Sequence, residues 1–545
     1  FFHPQPATRD SVASRGLGDV YKRQILDGTG SPAWKGDIAV DEGKIVEVKD
    51  SIDMHAEYEL NADGKYICPG FIDIHTHSDF SLLANRCAES SVRQGITTLV
   101  TGNCGHGPAP SPDRGLGKQV TFGYSENFNT DFGWDHFAEY LDDLFSPGLS
   151  VNVAPLVPHG SIRLAVMGYD ARPPTRAELE KMKDYVNEAM SAGAAGFSTG
   201  LEYSPGKHAD ENELSALCSV AAKHDGIYAS HIRNRADTFM ESVVESLNII
   251  RRAGCTGQLS HLAPRPYARG EFDQVLETIY KARDQEGLEI GIDTFPDVWG
   301  PGPVVTLLPS WVYEDKPDKI LDRLKSSDVI DQCRETFNNP TNYLLRLGGF
   351  KSFYLTCSRS YPDLVGRNFQ EISEIFRLDH TETIFKLLLA DGADFYNVML
   401  RHIYASSEDL QQLLLQPICS IESDGVTTAP YGPLKDFVFN RSSYGYTVRF
   451  LKEYVIDQKL FTLEEGVRKM TSLPADSARL KGRGQLKEDY AADIIIFSLE
   501  DLKDNTTDDK PIAYPDGIEL VMVNGSIVLD RGTHSQELPG QMLPN

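Results

Sequence analysis

Eight short apolar runs, at 71–77, 96–103, 151–158, 194–199, 226–232, 256–262, 288–295 and 417–424, punctuate the middle of the chain. Amphipathic stretches lie between several of them. The clearest is 237–253, where Met240, Val243, Val244, Leu247 and Ile250 share one helical face and Gly254 supplies a stop. Strands that alternate with helices form parallel sheets, and eight such units close into a (β/α)8 TIM barrel. The spacing breaks once. A long stretch separates the seventh and eighth runs, with helix-like patterns at 371–390 and 407–415. This predicts an insertion over about 300–415, placed where long loops cover a barrel's mouth.

The two ends of the chain read differently. Ile38-Ala39-Val40, the turn Asp41-Glu42-Gly43-Lys44, and Ile45-Val46-Glu47-Val48 form a hairpin pattern. Strand patterns return at 492–497 and 518–528. A small β-sandwich domain is therefore expected from 25–66 plus 477–545, with the barrel over 67–476. Residues 1–24 carry no clear period and few aliphatics. They are expected to be a disordered or non-native leader.

Composition removes several classes of function. Asp and Glu number 79 against 53 Lys and Arg, a formal charge of -26. Phosphate backbones demand clustered cations, so a nucleic-acid partner is not expected. The same balance disfavours anionic membranes. No apolar run is long enough to span a bilayer, and 1–24 lack the core of a signal peptide. The eight cysteines form no C-x-x-C pair. Free thiols in a reducing compartment, and a cytoplasmic location, are the expectation.

Barrel chemistry sits at the C-terminal ends of the strands. The polar residues ending the eight runs are His75 and His77, Cys104, His159, Tyr203, His231, His261, Asp293 and Asp424. His75 and His77 are two apart on a strand, so both imidazoles point to one side and can grip one cation. Cys104 lies in a glycine-rich loop with no volume to fill. A thiolate there selects zinc over hard cations. His231 and His261 each end a run in the pattern strand-Ser-His, one βα unit apart. Asp424 ends the last run just before Gly425. It could ligate a metal, take a proton from a metal-bound water, or do both. His159 is a candidate for supporting contacts, with core packing as its favoured role. Five ligand-type residues and one carboxylate exceed a closed structural zinc site. They suit an open catalytic one with one or two metals. Such a site hydrolyses amides, cyclic amides or esters.

At these residues the chain resembles the amidohydrolase superfamily, and within it the D-aminoacylase (N-acyl-D-amino-acid deacylase) family. The resemblance runs from about residue 25 to 530. It is carried by Pro69-Gly70-Phe71-Ile72-Asp73-Ile74-His75-Thr76-His77-Ser78-Asp79, Gln94-Gly95-Ile96-Thr97-Thr98, Gly193-Ala194-Ala195-Gly196-Phe197-Ser198-Thr199-Gly200-Leu201, Ser423-Asp424-Gly425 and Met470-Thr471-Ser472-Leu473-Pro474-Ala475. It implies a barrel of the metal-dependent hydrolase type that cleaves a small-molecule N-acyl amino acid, preferably D-configured. It implies one tight zinc on Cys104, His231 and His261 and a second, weaker metal position at His75 and His77. Asp424 resembles the general base that later protonates the leaving amine. Tyr203 resembles a substrate-pocket tyrosine. Arg441 or a neighbour resembles the residue that holds the substrate carboxylate, with a solvated loop as its alternative.

The chain departs from the family pattern at three places. Ala263-Pro264-Arg265 stands where a lysine often follows Ser-His-Leu. Val426-Thr427-Thr428-Ala429-Pro430-Tyr431 lacks further histidines. Arg441 sits one residue early relative to Tyr444-Gly445. Two alternatives remain: a hydantoinase- or dihydroorotase-like enzyme for cyclic amides, and a silent scaffold that only binds. The first commonly needs a strand-end lysine, which none of the eight positions supplies. The second tends to lose ligands that this chain keeps.

Overall fold

A computed structural model describes residues 12–13, 24–118, 121–122 and 133–544. The expected leader therefore lies almost wholly outside the described residues. The backbone of Val12–Ala13 pairs with Ala39 and Val40.

All eight expected strands are present. They are β1 (Phe71–Asp73), β2 (Ile96–Thr101), β3 (Asn152–Pro158), β4 (Gly196–Gly200), β5 (Ile227–His231), β6 (Gly257–Leu259), β7 (Ile290–Thr294) and β8 (Cys419–Ile421). Their order in the sheet follows the sequence, and neighbours are parallel. Every residue of these strands is buried, as expected where helices cover a parallel sheet. The ring closes between β1 and β8 beyond the strands themselves. Thr76 pairs with Gly425, the His77 amide donates to the Gly425 carbonyl at 2.8 Å, and the Asp424 amide donates to the His75 carbonyl at 3.1 Å.

Helices α1 (Arg176–Ala192), α2 (Glu211–Ala222), α3 (Phe239–Ala253) and α4 (Phe272–Asp284) pack around the ring. Thr175 and Glu178 form a reciprocal capping box that starts α1. Helix α3 ends at Gly254, which takes a left-handed φ of 68°. Its buried face is turned slightly from the expected one. Phe239, Val243, Leu247, Ile249 and Ile250 face inward, while Val244 is 39% exposed.

The stretch between β7 and β8 builds a unit with its own core. Trp299–Pro303, Met399–Ile403 and Phe353–Cys357 form an antiparallel sheet in that order. Val305, Phe353, Leu355, Ile384, Leu387 and Leu388 pack beneath it. Each such side chain contributes roughly 1.5–3 kcal/mol on burial. The helix expected at 371–390 is two helices, Phe369–Phe376 and His380–Asp391. Arg377 breaks the first with a φ of 56°, and the Asp379 carboxylate caps the second.

Both ends of the chain contribute to a β region. Tyr66–Pro69 lies between Gln24–Ile25 and Ile494–Phe497, followed by Ile518–Val523 and Ser526–Asp530. A second sheet holds the hairpin Asp37–Asp41 and Lys44–Lys49. Ile38, Val40 and Ile45 of one sheet share a core with Ile67, Ile494, Leu520 and Met522 of the other. The final residues run to the barrel, where Met542 pairs with Val153 of β3. No helix of the described residues is long and apolar enough to cross a membrane.

Candidate metal centre

Cys104 is the hub of the barrel's mouth. It follows β2 in a tight turn, buried, with a φ of 53°. Two glycines make room for that turn. A side chain at Gly102 would meet the Leu156 carbonyl at 2.0 Å, and one at Gly200 the Cys104 carbonyl at 2.0 Å. The Sγ then lies 3.3 Å from His75 Nε2, 3.6 Å from His231 Nδ1 and 3.5 Å from His261 Nε2. Donor atoms group as His75, His77 and Cys104, and as Cys104, His231 and His261.

Strands β1 and β6 are shorter than the sequence pattern suggests, and this is what frees the histidines. His75, His77 and His261 stand just past the last ladder residues, where the backbone turns them over the ring's centre. His261 has a φ of 34° and Asp424 a φ of 41°. With Cys104, three site residues occupy left-handed backbone that costs about 1–3 kcal/mol each. Named contacts hold them there. The His261 amide donates to Asp293 Oδ1 at 2.6 Å, and its carbonyl accepts from the Tyr404 hydroxyl. Asn440 Nδ2 donates to the Asp424 carbonyl at 2.7 Å.

The donor set suits a soft cation. Burial drives the pKa of His75 and His261 well down, so both imidazoles are neutral and offer lone pairs. Burial pushes the Cys104 thiol well up, helped by the Asp424, Asp293 and Glu422 carboxylates. A compensating cation is what would keep it a thiolate. Tetrahedral zinc with sulfur and nitrogen ligands places those atoms roughly 3.5 Å apart, which the three Sγ–N separations match. Buried Nδ1 atoms of His75, His77 and His261 have no hydrogen-bond partner. His231 differs, because its Nε2 lies 2.9 Å from Glu202 Oε2. Burial works against charge on Glu202, yet Arg265 and His231 hold its pKa below the usual carboxylate range. A carboxylate behind a ligating imidazole fixes its tautomer and orientation.

Asp424 Oδ1 lies 3.2 Å from His77 Nε2 and 3.8 Å from His75 Nε2. Its side chain is 13% exposed and faces a cleft with two lobes. The smaller, about 50 Å³, is walled by His77, His106, Phe122 and Phe439. The larger, about 190 Å³, is walled by Glu202, Arg235, Arg265, His402 and Tyr404. Tyr203, His261 and Asp424 line both. The insertion roofs both through Pro301, Pro303, Thr306 and Tyr313.

The structure thus brings together His75, His77, Cys104, His231, His261, Tyr203 and Asp424. It places one expected residue elsewhere. Arg441 is not aimed at this cleft. Its Nε donates to Asp297 Oδ2 at 2.6 Å, and it lines a neighbouring cavity with Trp299 and Arg401. His159 pairs with Glu213 at 2.9 Å, which also binds Arg163, so it serves the packing around β3. Glu202, Arg235 and Arg265 were missed. Glu202 was within reach of sequence reasoning, standing beside Tyr203 in the loop after β4. The arginines carried no signal that separates them from surface cations.

These features agree with what the chain resembles. The amidohydrolase family model matches residues 59–287 and 369–529. The gap in the match spans β7 and the first part of the insertion. An N-acyl-D-glutamate deacylase of Alcaligenes xylosoxydans xylosoxydans is 31% identical over 95% of this chain and 94% of its own length. The chain belongs to the amidohydrolase family. Among solved structures, a D-aminoacylase superposes with a TM-score of 0.80 at 27% identity, covering 98% of this chain and 99% of that one. The N-acyl-D-glutamate deacylase of Bordetella bronchiseptica, complexed with zinc and a phosphonate mimic of the tetrahedral intermediate, gives 0.81 at 28% identity. That match covers 99% of this chain and 100% of the other.

Proposed function

We propose that this chain hydrolyses the amide bond of an N-acyl amino acid, D-configured by preference, to a carboxylate and a free amino acid. The observation that carries this reading is the Cys104 thiol ringed by three imidazoles, with the Asp424 carboxylate 3.2 Å from His77 and open to a cleft. Cys104, His231 and His261 would hold one zinc tightly, and His75 with His77 a second ion more weakly. When bound, zinc supplies a Lewis acid that polarises the acyl carbonyl and brings the pKa of water towards neutrality.

The chain's own residues do the rest. Asp424 accepts the proton of the attacking water and returns it to the leaving amine nitrogen. Its left-handed backbone, pinned by Asn440 and the His75 carbonyl, sets the carboxylate toward the cleft. Glu202 keeps the His231 ring turned to Cys104. Tyr203 and the insertion's Tyr313 wall the acyl group from water. The cyclic-amide alternative finds no support, because no lysine lines the cleft among the described residues.

The test is direct. The purified protein is analysed for metal and assayed for amine release from N-acetyl D- and L-amino acids. Bound zinc and cleavage of D-isomers are expected. Absence of zinc, or activity that survives both Cys104→Ala and Asp424→Asn, overturns the reading. Cleavage of hydantoins alone would replace it.

A further inference from the structure

Five arginines are buried among the described residues: Arg163, Arg235, Arg265, Arg449 and Arg483. Four of them pair with carboxylates. Arg163 meets Glu213, Arg265 meets Glu202, Arg449 meets Asp297 and Asp504, and Arg483 meets Asp493. Arg235 alone makes no direct ion pair; it acts on a carboxylate only at longer range, through Glu202 in the same lobe.

Its surroundings sharpen the contrast. Arg235 follows β5, is 5% exposed, and lines the larger lobe of the cleft beside His231, His261 and Asp424. Its Nη1 donates to the carbonyls of His261 at 3.2 Å and Ala263 at 3.5 Å. Its guanidinium lies 4.7 Å from the Tyr404 ring centroid. Its Nε is buried with no hydrogen-bond partner. A guanidinium keeps its charge at any physiological pH, so it cannot escape the cost of burial by losing a proton. Glu202 offsets it only at longer range, and a buried charge with no counter-charge in contact is unfavourable. An anion supplied by the ligand removes that penalty. The carbonyls of His261 and Ala263 and the Tyr404 face hold the fork in place before the ligand arrives. Arg265 cannot fill the same role as freely, because it is held by His402 Nε2 at 2.6 Å and by Glu202.

We propose that Arg235 is the residue that binds the substrate's carboxylate. This rests on the reading of the chain as an N-acyl amino acid hydrolase and adds to it the recognition element. In an N-acyl amino acid a single carbon separates the carboxylate from the amide nitrogen. A carboxylate on Arg235 therefore leaves the scissile amide over the Cys104 cluster and Asp424. Specificity then comes from the free acid group. A substrate whose carboxylate is masked as an amide leaves Arg235 unpaired.

The experiment compares N-acetyl amino acids with their carboxamides on the wild type, R235Q and R235K. The wild type is expected to favour the acid. R235Q is expected to raise KM for the acid on the order of 10- to 100-fold. It should change kcat little and leave the carboxamide's constants nearly unchanged, so that the preference collapses. R235K, which keeps the charge but loses the fork, should fall between. Should R235Q not fold, the R235K loss on the acid alone carries the test. Equal loss on acid and carboxamide, or an acid preference untouched in both variants, overturns the proposal. A wild type that cleaves no N-acyl amino acid overturns the function proposed above; a wild type that cleaves them with Arg235 dispensable overturns only the carboxylate anchor.

Discussion

The two groups of three donors share Cys104 and differ in what stands behind them. In one, His231 is tied to Glu202, which is tied in turn to Arg265, and the His261 amide is fixed on Asp293. In the other, no carboxylate accepts a hydrogen bond from either ring's Nδ1, a feature His261 shares, and neither ring has a support like that of Glu202 behind His231; His77 turns its Nε2 to Asp424. A ligand held from behind is pre-organised; one that is not must be ordered by the ion itself. The first group is therefore expected to be the tight site. The second is expected to be one whose occupant comes and goes and competes for Asp424.

The variants that break or sharpen this contrast fall in order of size. Cys104→Ala removes the shared ligand and should abolish both sites, with activity down about 10³-fold or more and zinc lost on gel filtration. Asp424→Asn should leave zinc in place, as metal analysis would read, while lowering kcat about 10²- to 10⁴-fold. Glu202→Gln keeps the shape but weakens the support of His231. It should weaken zinc binding about 10- to 100-fold in a chelator competition. His77→Ala should change that competition least, less than roughly tenfold. If His77→Ala strips zinc as fully as Cys104→Ala does, the ranking of the two groups is wrong.

Much of this centre was legible because its signals are local. His75-Thr76-His77, the two Ser-His strand ends and Ser423-Asp424-Gly425 each announce themselves within a few residues. The strands were legible for the same reason: full burial makes them continuous apolar runs. What escaped depends on pairings distant in sequence. Arg441 and Arg235 look alike in composition, and only the fold shows that one is paired with Asp297 while the other lines the cleft without a direct ion pair. The break at Arg377 was hidden because the apolar period continues across it. Val244 fell on the wrong face because Phe239 and Ile249, rather than Met240, set the rotation of α3.

The closure of the ring acquires a meaning from where it occurs. Strands β1 and β8 do not meet along their lengths; they are joined by the Thr76–Gly425 pairing and the two backbone bonds of His77 and Asp424. The clasp of the barrel is thus made by the segments that carry His75, His77 and Asp424. An ion held by these residues would bridge that joint. Occupancy would then be coupled to closure of the barrel: hydrogen exchange at the His77 and Asp424 amides is expected to quicken when metal is stripped, while amides in the middle of β4 and β5 keep their protection.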